Sequence, residues 1–148
     1  MGYLYEDFRE DFRFESYART ITESDLSLFC ALVGYHVPLF IDEHYARTTS
    51  FGGRICPSHL IMSISTGMTE SLFRDGIMGM LGLDGGRFFA PVRPGDTIRT
   101  VVTIVSRKET SKPDRGIVVF RDEVFNQDNV LVFQMDKTAL IKRRDGAA

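Results

Sequence analysis

Three histidines, a loop tyrosine and two serines are the residues of this chain whose types suit chemistry: His36, His44, His59, Tyr35, Ser58 and Ser63. An imidazole titrates close to neutrality, so His36 or His59 can take up or deliver a proton. Tyr35, with an unperturbed pKa of about 10, donates a hydrogen bond but is a poor base. Each has a plainer reading beside the chemical one: an exposed loop histidine for His36, capping or packing for His59, a surface position beside acids for His44, and close helix packing for Ser63. The three imidazoles show neither paired spacing nor an evident carboxylate partner, which leaves metal binding with little support. No nucleophile elbow accompanies the serines, so a Ser-His-Asp hydrolase is poorly supported. The glycines between 76 and 86 are not followed by Gly-Lys-Ser/Thr and so form no phosphate loop. Cys30 and Cys56 stand among apolar residues without metal or redox spacing, and read as buried free thiols.

The elements that position these residues are legible from caps and periodicity. Residues 1–17 mix aromatics with charges and read as an irregular arm leading into a strand. Thr22-Glu23-Ser24-Asp25 has the pattern of a capping box and opens a helix whose inward face is Leu26, Phe29, Cys30 and Val33. Gly34 ends that helix. Pro38 sits in an extended loop, and Asp42 caps a short second helix reaching Thr48. Pro57 starts a third helix, where its missing N–H is harmless. Along it Leu60, Ile64, Met68 and Leu72 form an i, i+4 row widened by Ile61, while Ser63, Ser65, Thr66 and Gly67 keep the rest of its surface small.

Gly76, Gly79, Gly82, Gly85 and Gly86 are expected to break the chain into turns. Strands are expected at 87–90, 97–107, 116–126 and 130–142, the last two joined by the hairpin loop Asn126-Gln127-Asp128-Asn129. One apolar helix followed by long antiparallel strands is the pattern of an α+β fold, a curved antiparallel sheet wrapped around a long central helix, the hotdog architecture. An open sheet of this kind leaves edge strands, and pairing two domains into a continuous sheet covers them; a dimer is the expectation from fold logic.

The whole chain, 148 residues, fits one domain able to bury a core without disulfides or a structural metal. A net charge of −2 provides no basic field for nucleic acid or an anionic membrane. The cluster Lys142-Arg143-Arg144 reads as a solvated end, with 144–148 a flexible tail. An acidic N-terminus unlike a signal peptide, free thiols and no apolar run of membrane-spanning length point to a cytoplasmic protein.

Across roughly residues 18–143 the sequence resembles the MaoC-like (R)-specific enoyl-CoA hydratases and dehydratases. The resemblance rests on Ile21-Thr22-Glu23-Ser24-Asp25-Leu26, on Pro38 with Ile41-Asp42-Glu43-His44-Tyr45-Ala46, on Thr48-Thr49-Ser50-Phe51-Gly52-Gly53-Arg54-Ile55, and on the turn Pro91-Val92-Arg93-Pro94-Gly95-Asp96. It implies addition of water to a trans-2-enoyl thioester, or the reverse, on a substrate carried by coenzyme A or acyl carrier protein. The coenzyme A or pantetheine arm is then part of the substrate, and no separate cofactor is expected. In the family motif Gly-Asp-x-Asn-Pro-x-His the Asp falls at Tyr35, the Asn at Val37 and the His at Phe40, and the later His-Gly at Pro57-Ser58. Phe40 cannot move a proton, whereas the Ser58 backbone amide can still polarise a carbonyl whatever its side chain.

The expectation is therefore a MaoC-like acyl-thioester protein of the hydratase/dehydratase class, leaning towards a lyase with a non-standard acid/base set. Tyr35, His36 and His59 are its candidate catalytic groups; the Ser58 N–H is the oxyanion donor, and Ser63 a substrate contact. Two alternatives stand beside it. One is a catalytically inactive subunit pairing with an active paralogue; the other is a thioesterase, which needs Asp42 or Glu43 turned into the pocket. The expected assembly is a homodimer or a heterodimer with a paralogous hotdog subunit.

Overall fold

The computed structural model describes residues 2–144. A short 3-10 turn, Tyr5–Asp7, and the strands β1 (Arg13–Glu15) and β2 (Arg19–Thr20) lead into helix α1 (Glu23–Val33). The short helices α2 (Pro38–Ile41) and α3 (Glu43–Ala46) follow, then α4 (Ser58–Met68) and α5 (Glu70–Phe73). Four long strands complete the chain: β3 (Ile77–Phe88), β4 (Thr97–Glu109), β5 (Arg115–Phe125) and β6 (Leu131–Lys142). The sheet runs β1-β4-β5-β6-β3 with every pairing antiparallel, and β2 also pairs with β4.

Local chemistry accounts for the helix boundaries. Asp25 N–H donates to Thr22 Oγ1 at 3.0 Å and Thr22 N–H donates to Asp25 Oδ2 at 2.8 Å, the reciprocal pair of a capping box. Gly34 closes α1 with φ of 68°, a left-handed conformation that costs glycine nothing. Tyr45 N–H donates to Asp42 Oδ1 at 2.9 Å, so Asp42 caps α3 as its position suggests.

Helix α4 lies on the inner face of the sheet, with Leu60, Ile61, Ile64, Ser65 and Met68 buried. It stops earlier than the apolar row implies: Thr69 leaves helical geometry, and its hydroxyl donates to Thr66 O at 3.0 Å. Leu72 is nonetheless fully buried, because the turn of α5 continues the row in a second short helix.

The glycine-rich stretch does not break into turns. It forms the twelve-residue strand β3, with register shifts between Ile77 and Gly79, Met80 and Gly82, and Asp84 and Arg87. A glycine inside a strand marks a bulge as readily as a turn, and spacing alone did not separate the two. The Asn126–Asn129 hairpin forms as expected, with Asn126 Oδ1 accepting from Asp128 N–H and Val130 N–H, each at 3.0 Å.

At both ends the chain is held more firmly than the sequence suggests. Phe8 and Tyr5 are buried against Phe120, Val118 and Leu72, which makes the N-terminal arm part of the core. Arg143 pairs with Glu6 at 3.2 Å and Glu109 at 3.0 Å, and Arg144 pairs with Asp7 at 2.8 Å. The basic cluster expected to be a solvated end is thus tied to the N-terminal turn, where acids were available to pair with it. Residues 145–148 of the expected flexible tail lie outside the described residues.

The core is divided. One apolar cluster gathers Ile98, Val124 and Met135 beneath the first two turns of α4, and a second gathers Val102, Phe120 and Ala139 near α5. Between them a polar row crosses the inner face diagonally: Thr100 on β4, Asp122 on β5 and Lys137 on β6, each at most 1% exposed. Ser65 of α4 shares a hydrogen bond with Thr100 at 2.8 Å, and Lys137 Nζ stands 2.6 Å from Asp122 Oδ2. Burial pushes the Asp122 carboxyl up, and the ammonium of Lys137 pulls it part of the way back.

Two outcomes test these interactions. Lys137→Met leaves Asp122 buried without its cation and is expected to lower unfolding stability by about 3–5 kcal/mol, whereas the double change Lys137→Met with Asp122→Val is expected to be close to neutral; urea unfolding of both variants measures the difference. Asp25 is pushed up by partial burial but held below the usual aspartate range on balance, by the Thr22 amide and hydroxyl and by Arg19 at 2.7 Å. A depressed folded pKa stabilises above the unfolded value, and the gain is lost as pH falls through the folded one. Asp25→Asn is therefore expected to lower Tm at pH ~7 by a few degrees, with the gap to wild type closing below about pH 4.

Candidate active site

The loop between α1 and α4 brings the candidate residues to one end of the central helix. Tyr35 follows Gly34 directly, its N–H donating to Cys30 O at 2.9 Å, and Pro38 takes the first position of α2. These two constraints present Tyr35 and Phe40 on neighbouring turns, with ring centroids 5.2 Å apart. Arg54 ties the rest of the segment together. Its Nε pairs with Glu43 at 2.8 Å and its Nη2 with Glu23 at 2.6 Å, joining α1, α3 and the strap that leads into α4. The Arg54 guanidinium, helped by Arg47, holds the Glu43 carboxyl below the usual range.

The start of α4 differs from those of α1 and α3. Its cap is Pro57 (φ −63°, ψ 148°), which places no side chain over the first amides of the helix. The positive end of the helix dipole lies at this terminus, and Ser58, its first residue, lines a cleft of about 440 Å³. Its walls are aromatic and apolar, including Phe40, Phe51, Cys56, Phe88 and Phe89. Arg93 holds the backbone of the Phe51 wall by donating to Phe51 O. Burial pushes the Cys56 thiol up to about 12, so this sulfur stays protonated and is no nucleophile at neutral pH.

The candidate polar groups are distributed over adjoining clefts. Tyr35 and His59 line one of about 460 Å³ together with Phe29 and Val33. His36 lines another, of about 200 Å³, with Arg54, Ser27 and Cys30; the Phe40 ring is a wall of this cleft and of the Ser58 cleft alike. Ser58 Oγ and His59 Nδ1 lie 3.3 Å apart. Ser63 donates to His59 O at 2.7 Å and borders a third groove with Met62 and Thr66. His44 is exposed on α3. Asp42 is occupied as a cap and Glu43 by Arg54, which leaves the two acids that a thioesterase would require turned away from the cleft.

Sequence gives Phe51 a place in the family-like connection, but no place in the cleft wall to Phe51, Phe88 or Phe89. Their signal was present only as apolar residues flanking Gly52 and the Pro91–Pro94 turn, a pattern shared with ordinary core residues.

Chemically, the arrangement offers unpaired backbone donors to an oxygen that gains negative charge, inside an apolar cleft where such donors are strong. An imidazole and a phenol line a separate cleft, on the other side of the Ser58–His59 step. No carboxylate or imidazole occupies the position of Phe40.

Comparison with known proteins bears on the family and the fold. The family model of the MaoC like domain matches residues 9–124. The (R)-specific enoyl-CoA hydratase of Rhodospirillum rubrum is 33% identical over 122 residues, covering 80% of this chain and 78% of that protein. The β-methylmalyl-CoA dehydratase of Chloroflexus aurantiacus is 28% identical over 144 residues, and the mesaconyl-CoA hydratase of Cereibacter sphaeroides 26% over 148. The chain spans 94% and 99% of its own length in those two matches but only 41% and 43% of theirs. Among solved structures, a monoamine oxidase regulatory protein from Archaeoglobus superposes with a TM-score of 0.89 at 29% identity, covering 96% of this chain and 95% of that one. A MaoC domain protein from Chloroflexus aurantiacus gives 0.93 at 28% identity, over 99% of this chain and 42% of that one. With its antiparallel sheet wrapped on α4, its uncapped helix start and this match over most of its length, the chain belongs to the MaoC-like hydratase/dehydratase family of hotdog proteins.

Proposed function

We propose that this chain binds an acyl thioester with the carbonyl oxygen on the Ser58 amide, and that Tyr35 and His59 supply a non-standard acid/base pair for hydration of an enoyl thioester or its reverse. The observation that carries this reading is the uncapped start of α4 opening into an apolar cleft next to a second cleft that Tyr35 and His59 share. In the hydration direction His59 takes a proton from water as its oxygen bonds to the β-carbon. Tyr35 gives its phenol proton to the α-carbon while the thioester stays intact, the charge that passes through the thioester oxygen falls on the Ser58 amide, and the proton held by His59 returns to Tyr35 through solvent. His36, beyond Phe40, stands outside this pair. The coenzyme A or carrier pantetheine is part of the substrate.

The chain acts in this reading as part of a dimer. β3 is a sheet edge, and its Met78 and Leu81 are exposed apolar side chains that a second hotdog body, identical or paralogous, would cover. A second reading has its own support: Phe40 replaces a proton-transfer group with a ring, which suits a subunit that shapes the cleft of an active paralogue without doing chemistry itself.

Ser58→Pro separates the amide from the side chain. Proline is tolerated at the first helical position, and Pro57 already has the extended ψ that a following proline requires, so the variant should keep its Tm within a few degrees. Loss of one such donor is expected to lower enoyl-CoA turnover by ~10²-fold, with Ser58→Ala close to wild type. His59→Ala and Tyr35→Phe are each expected to lower kcat by about 10²-fold or more. Turnover unaffected by either removes the acid/base pair. If wild type shows no turnover, but Ser58→Pro still weakens acyl-CoA binding in calorimetry, the subunit reading holds. No binding by wild type overturns both.

A further inference from the structure

The buried pair Lys137–Asp122 has no part in the chemistry at Ser58, yet its chemistry is incomplete. Lys137 Nζ contacts Asp122 Oδ2 at 2.6 Å and stands 4.9 Å from the centre of the Phe73 ring. An ammonium has three N–H groups, and a single carboxylate oxygen with one ring face does not satisfy them. Among the described residues neither Lys137 Nζ nor Asp122 Oδ1 has a hydrogen bond of proper geometry, although both residues are 1% exposed. A spare donor and a spare acceptor are thus buried side by side, a costly arrangement unless something bridges them.

Lys137 also borders two clefts that lie further along α4 than Ser58. Three clefts are lined by successive residues of α4 and, in reverse order, by residues of β3. The first has Ser58 and Phe88 on its walls; the second, of about 400 Å³, has Met62, Ser63 and Thr66 facing Leu83 and Met80. The third, of about 350 Å³, has Thr66 and Glu70 facing Met80 and Ile77. Lys137 borders the second and the third. From Ser58 to Thr66 the helix rises ~12 Å, which is roughly the reach of a ten-carbon acyl chain laid along it. Met62, Met80, Met135 and Leu83 make up much of the second cleft, soft surface suited to a hydrocarbon chain.

We propose that the α4–β3 seam holds the acyl chain of the thioester and that the Lys137–Asp122 pair recognises a hydroxyl group at its far end. A hydroxyl both accepts and donates, so it takes an N–H from Lys137 and gives its own proton to Asp122 Oδ1. A methyl end leaves both unsatisfied. A carboxylate end adds a second negative group beside Asp122. The fit holds in either protonation state of the pair, since one partner always donates and the other always accepts. This inference rests on the thioester reading above and names the substrate class that the site prefers.

The test measures binding of decanoyl-CoA, ω-hydroxydecanoyl-CoA and decanedioyl-CoA to the purified full chain, and to the double variant Lys137→Met with Asp122→Val, by calorimetry. Wild type is expected to bind the ω-hydroxy compound about tenfold or more tightly than decanoyl-CoA, with the dicarboxylic compound weakest. The double variant, its fold checked by Tm, is expected to reverse the first preference. Equal binding of all three to wild type means that the pair holds only water, and overturns the inference while leaving the thioester reading intact. A hydroxyl preference that persists in the double variant overturns it as well. Failure of every acyl-CoA to bind overturns the thioester reading and this inference together.

Discussion

Helix α4 has to settle on a sheet whose middle is polar, and the other features of the molecule depend on how it does so. A uniformly apolar inner face would let a helix of Leu, Ile and Met slide along its axis with little penalty. Here Ser65 must meet Thr100, and the Asp122–Lys137 pair must stay clear of unpaired burial. A shift of one turn would take Ser65 from its partner and press apolar side chains onto a charge, a mismatch of several kcal/mol. The polar row therefore sets the height of α4 on the sheet. Through it the row also sets where Ser58 sits relative to Phe40 and Phe88.

Around that fixed helix the loop segment separates structural from chemical duties. Asp42, Gly34 and Arg54 hold α1, the two short helices and the strap in one arrangement through a cap, a left-handed residue and two ion pairs. None of these contacts involves the side chains of Tyr35, Val37 or Phe40. Substitution at Tyr35 or Phe40 is therefore expected to alter a cleft wall without disturbing the frame.

Sequence made the frame legible where a single residue has a single physical use. Thr22 with Asp25, Gly34, Asp42 and the Asn126 hairpin each act within a few residues of themselves, and each appears as read. The glycines of 76–86 were misread because the same residue serves a turn and a bulged strand, and only pairing with β6 decides between them. The polar row was missed for a different reason. Asp122 and Lys137 fall in the inward phase of β5 and β6, between Phe120 and Val124 and between Met135 and Ala139, so the alternation was visible. That they face each other depends on strand register, which no local pattern contains. How the candidate residues divide among clefts was not legible, since the cleft that His36 lines is separated from that of Ser58 by the Phe40 ring.

The bulged edge strand has a consequence for life among other proteins. A long, flat, apolar sheet edge is a template onto which almost any extended chain can add itself. β3 is long and apolar but not flat: its three register shifts interrupt the ladder, so its exposed backbone groups do not fall at the even spacing that a stray strand presents. A partner has to carry the matching irregularity in order to pair along its length. The same glycines that obscure β3 in the sequence thus make its adhesive edge selective, open to a counterpart of the same build and unreceptive to the generic strands that seed aggregation.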